Sequence, residues 1–142
     1  MTGNPPTASP AHTSAARDGT GFTVRLCGRP IAVTLSPRAR KAADALQAPL
    51  IVEMELFFSC LLRKRVLFHE PARAPESILE RVVLHPALTL QFRPIVSEVC
   101  RIDELEGAPP VTTMPAKRGE AFIPRWLTLD HRAGEWVGEF GY

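Results

Sequence analysis

The side chains best equipped for chemistry are two cysteines and two histidines in the middle of the chain: Cys60, Cys100, His69 and His85. Two thiolate sulfurs and two imidazole nitrogens form a tetrahedral donor set suited to zinc, iron or copper. They converge if the strands carrying the two cysteines pair, and a Cys/His metal site is therefore the second functional reading of this sequence. The spacing itself carries no metal signature. Cys27, Cys60 and Cys100 lie 33 and 40 residues apart, with no Cys-x-x-Cys pair. Free cysteine is also among the most buried residue types, and strand alternation puts Cys60 on one face with Met54, Leu56 and Phe58. A core position is the stronger expectation for it. His69 and His85 stand just before Glu70-Pro71 and Pro86, and read as loop residues just beyond the ends of their elements.

Nucleophilic catalysis by a Cys/His pair needs a thiolate in an accessible, electropositive place with a base in hydrogen-bond reach. Arg63, Lys64 and Arg65 supply positive charge near Cys60, yet alternation turns Arg63 and Arg65 to the opposite face, and no glycine-rich elbow accompanies any cysteine. Walker-type, Gly-x-Gly-x-x-Gly and His-Glu-x-x-His motifs are missing, so no catalytic machinery is named. Glu53 and Glu55, two residues apart, would lie about 7 Å from each other on one strand face. They share that face with Arg63 and Arg65, which suggests a solvated ion-pair surface rather than an acid/base dyad. Arg38, Arg40 and Lys41, with Arg63 to Arg65 and the nearby Phe57 and Phe68, make nucleic-acid binding a third reading.

The bulk numbers bound these choices. The chain has 142 residues, 17 basic and 15 acidic, for a formal net charge of +2 that builds no field of the kind a dedicated nucleic-acid binder carries. Its 14 prolines are about twice the usual share and argue against a helix bundle. An odd number of widely spaced cysteines does not make a secreted disulfide framework, which points to reduced thiols and a cytoplasmic protein. No secretory leader is read at the amino terminus. The most apolar stretch, residues 50–62, is broken by Glu53, Glu55 and Ser59, so no membrane span is expected.

The elements that must position these side chains follow from periodicity. Residues 1–21 are dominated by Gly, Ala, Pro, Ser and Thr, and read as a disordered tail ahead of one domain over 22–142. Alternation over 22–26 and 31–35, around Gly28-Arg29-Pro30, predicts a hairpin or two short strands. Ser36 as a cap, Pro37 in the first turn and the spacing of Ala39, Ala42, Ala43 and Leu46 predict the principal helix over 36–47. Residues 50–68 read as a strand with a bend or bulge near Ser59, the helical alternative leaving apolar residues almost all round. A short second helix is expected over 76–83, strands over 88–92 and 95–100 with Pro94 marking a bulge or sheet edge, and a C-terminal hairpin around residues 131–134.

The expected architecture is thus α+β, a mostly antiparallel, curved β-sheet with that helix and hairpin. The leading functional reading is a small cytoplasmic binding or accessory module that works through a protein partner or self-association. Glu53, Phe57, Arg63, Arg65 and Trp136 are its expected contact residues.

Overall fold

The computed structural model describes residues 20–58, 62–76, 79–97, 111–113 and 116–142. The expected tail over 1–21 falls almost wholly outside them, as do Cys60 and Cys100. Strands β1 (Thr20–Leu26) and β2 (Arg29–Leu35) lead into helix α1 (Pro37–Ala45), which is followed by β3 (Leu50–Phe58) and β4 (Arg63–His69). A 3-10 turn (Pro71–Arg73) then precedes β5 (Val82–His85) and β6 (Leu88–Ser97). The short β7 (Val111–Thr113) and helix α2 (Ala116–Glu120) come before the closing strands β8 (Trp126–Arg132) and β9 (Glu135–Gly141).

Both hairpins form at the expected places, each through a two-residue turn with φ positive at both positions: Cys27 and Gly28, then Ala133 and Gly134. That backbone twist matches the twist of the flanking strands, and glycine in the second place meets no steric penalty. Helix α1 starts where its cap requires. The Ser36 hydroxyl accepts the Ala39 N–H at 3.0 Å, and Pro37 occupies the first turn, where its missing donor costs nothing. Buried Ala39 and Ala43 let the helix lie close on the core.

The strands form two sheets rather than one. The first has the order β1-β2-β8-β9; the second runs β4-β3-β6-β5, with β7 also on β6. Neither is purely antiparallel, since β2 pairs with β8 and β3 with β6 in parallel. Alternation reports which face a residue takes but not the direction of its neighbour, and parallel pairing needs partners far apart in sequence. Leu26, Val33, Leu127 and Leu129 of the first sheet join Val52, Met54, Leu90 and Phe92 of the second in a single core. Strand β4 lies beside β9 along one seam, and β1 beside β5 along the other.

Three further expectations are corrected. The bend expected near Ser59 lies outside the described residues, and residues 50–68 are not one strand: Arg63 and Arg65 sit on β4, the antiparallel neighbour of β3. No described residue over 76–83 is helical. Leu79 is drawn into the core, and the β-branched Val82 and Val83 pair with Leu90 and Thr89 of β6. Pro94 lies inside β6, between the stretch paired with β5 and that paired with β7, where the absent N–H removes no ladder bond to either. Among the described residues, no helix is long and apolar enough to cross a membrane.

Candidate functional site

Strand β3 turns Val52, Met54 and Leu56 into the core, so Glu53 and Glu55 must face outward from the second sheet. That face is covered all the same: Glu53 is 0% exposed and Glu55 4%. Gln91 of β6 stands opposite Glu53, while Arg93 of β6 and Arg65 of β4 flank Glu55. Pro75, between β4 and β5, meets this face: its carbonyl accepts from Gln91 Nε2 at 3.2 Å. Burying a carboxylate is costly unless it is paired, and the sheet register supplies the partners.

The result is a polar network across three strands. Arg81 Nε donates to Gln91 Oε1 at 2.8 Å, and Gln91 Nε2 donates to Glu53 Oε1 at 2.7 Å. Arg93 Nη1 stands between the carboxylates, 3.9 Å from Glu53 Oε2 and 3.6 Å from Glu55 Oε2. Arg65 grips Glu55 Oε1 with two nitrogens, Nε at 2.9 Å and Nη2 at 2.8 Å. His69 Nε2 approaches Glu53 Oε1 at 3.4 Å. Glu53 Oε2, His69 Nε2 and Arg93 Nε are buried with no hydrogen-bond partner among the described residues. A cation between two acids, and an amide already bonded to one of them, make this an arrangement that holds charges in fixed positions.

The network reaches the surface through Arg65. Its side chain is 60% exposed although the carboxylate that anchors it is buried. Arg63 and Lys64 beside it are exposed. All three lie on a strand with one hydrogen-bonded neighbour among the described residues, and Leu62, 61% exposed, stands next to them. Lys64 and Arg65 also line a groove of about 230 Å³ at the β4/β9 seam, with Trp126 and Glu139 on its other side.

The five expected contact residues have different fates. Arg63 and Arg65 are exposed, and Phe57 is half-buried. Glu53 is wholly buried, so the expected solvated ion-pair surface is instead an enclosed one at that residue. Trp136 packs inward at the rim of the core, stacked on Phe68 with ring centroids 5.6 Å apart.

Of the four expected metal ligands, Cys60 and Cys100 lie outside the described residues. His69 belongs to the Glu53 network. The His85 ring is engaged on both nitrogens: Nδ1 accepts the Ala87 N–H at 3.0 Å, and Nε2 bonds Asp44 at 2.8 Å. Among the described residues, no group of three or more His, Cys, Asp or Glu side chains is arranged to hold a metal ion.

Sequence reasoning missed Gln91 and Arg93. Alternation marks both as pointing away from Leu90 and Phe92, but only the parallel register of β3 on β6 puts them opposite the two acids. It also missed Asp130 on the first sheet. This carboxylate accepts from the Ser36 hydroxyl at 2.6 Å, Arg38 at 2.9 Å, Arg132 at 2.7 Å and the His131 amide at 2.7 Å. Partial burial pushes its pKa up, but these four donors outweigh that effect and hold it well below the usual carboxylate range. With its lone pairs so occupied, Asp130 joins α1 to β8 and is a structural group. Comparison of the chain with protein families, curated proteins and solved structures found no match.

Proposed function

We propose that this protein is a small binding module that acts through a protein partner, with the β4 side of the second sheet as its working surface. The observation that carries the reading is the run of exposed cations Arg63, Lys64 and Arg65 on a sheet-edge strand, with Arg65 anchored by a buried carboxylate. Holding a charged side chain in one geometry before binding reduces the ordering cost of association. Self-association through this strip is disfavoured, because a two-fold contact would bring like charges together. Reduced thiols suit a cytoplasmic setting, and Cys27 forms no disulfide among the described residues.

Cross-linking of the full chain in its native extract, followed by quantitative mass spectrometry, tests this reading. The comparison is with Arg63→Glu/Lys64→Glu, a variant at two exposed residues with no ion-pair partner to lose among the described residues. One protein recovered with the native chain and lost with the variant supports the reading. Identical recovery from both, or only the chain's own monomer, overturns it.

A further inference from the structure

We infer that the occupant of the β4 surface is an extended, acidic segment of the partner protein, with carboxylates at every second residue and an apolar side chain among them. This rests on the binding-module reading and specifies what is bound. Successive side chains of a strand alternate, so Arg63 and Arg65 share the outward face about 7 Å apart. An extended segment presents its own alternate side chains at the same period, which matches two carboxylates to two guanidinium groups. Lys64, on the other side of the strand, lines the groove at the β9 seam. Leu62, 61% exposed, and the half-buried Phe57, paired in register with Arg63, offer the apolar contact. Glu55 is a positioning residue: its Oε1 takes both Nε and Nη2 of Arg65 and leaves the remaining guanidinium nitrogen for an incoming oxyanion. A polynucleotide fits less well. Single-stranded binders need free aromatic faces, and Trp136 and Phe68 spend theirs on each other.

Fluorescence anisotropy on the full chain tests the inference, using a labelled peptide of alternating glutamates around one leucine, its glutamine counterpart, and an oligonucleotide of equal charge. The glutamate peptide is expected to bind in a salt-sensitive way, and Arg63→Glu/Lys64→Glu to weaken it about tenfold or more. Glu55→Gln discriminates further. It makes the protein more positive by one charge, so a mere field effect would tighten binding, whereas loss of the anchor weakens it a few-fold. Should Glu55→Gln fail to fold by circular dichroism, Arg65→Lys keeps the charge, loses the fork, and is expected to weaken binding in the same way. Binding unchanged or tighter in the folded anchor variant overturns the inference. So does equal affinity for the glutamine peptide, tighter binding of the oligonucleotide, or no peptide binding at all. In the last case the cross-linking comparison still decides separately whether a protein partner uses this surface.

Discussion

Glu53 and Asp130 are both acids on the outward face of a sheet, and their surroundings give them opposite characters. Asp130 has four donors and a depressed pKa. A carboxylate held low stabilises the fold fully above its unfolded value of about 4, and that contribution is lost as pH falls toward and through the folded value. Asp130→Asn is therefore expected to cost on the order of 2 kcal/mol at neutral pH. Urea denaturation from pH 7 down to about 3 should show the gap to the native chain closing; a gap of constant size would refute the assignment. Asp44 should add to the acid sensitivity, since its hydrogen bond to His85 also lowers its pKa.

Glu53 is enclosed, with one oxygen bonded by Gln91 and the other facing Arg93 at 3.9 Å. Glu53→Ala removes the partner of a buried amide and guanidinium, and a loss of about 3 kcal/mol or more is expected from chemical denaturation. A loss below about 1 kcal/mol would place Glu53 among ordinary surface acids. Glu53 and Glu55 on one face with Arg63 and Arg65 were legible in the sequence; that Arg93 stands beside Glu53 and that Glu53 is covered were not. Alternating acids on a strand look the same whether water or a crossing connection lies above them.

Between elements, one tight constraint lies at the β4/β9 seam. A Cβ on Gly138 would meet Leu129 Cδ2 at 2.9 Å, Val66 Cγ1 at 3.0 Å and the Thr128 carbonyl at 3.1 Å. Gly138→Ala is thus expected to cost roughly 1–3 kcal/mol by overpacking. Gly134→Ala probes a different cause: its Cβ has open space, but φ is +80°, and roughly 1 kcal/mol of backbone strain is expected. Thermal melts of the two should separate when each is combined with Val66→Ala, which relieves part of the Gly138→Ala clash and does nothing for Gly134→Ala. Equal responses would undo this distinction. Local elements were largely readable because their signals are local: Ser36-Pro37 opens α1, Gly28 and Gly134 turn the hairpins, and strict alternation marks β2 and β6. The segment 76–83 misled because Leu79, Val82 and Val83 also suit a helical face, and their fate depends on what β6 offers as a partner.

Across the whole molecule, one core serves both sheets. Phe92→Ala, made in the second sheet, should cost about 3–5 kcal/mol. The fluorescence of Trp126 and Trp136, both in the first sheet, should report the same unfolding transition as far-UV circular dichroism. Separate transitions would mean that the sheets hold themselves together independently. Sequence by itself determined the α+β composition, the principal helix, both hairpins and the positions of the cations on what became β4. Each of these follows from interactions between residues a few places apart. Tertiary structure decided the two-sheet arrangement, the parallel pairings of β2 with β8 and β3 with β6, and the union of Glu53, Glu55, Arg65, Gln91 and Arg93 in one network. Those contacts join residues whose separation along the chain carries no periodic signal, and only burial of a shared apolar core selects them.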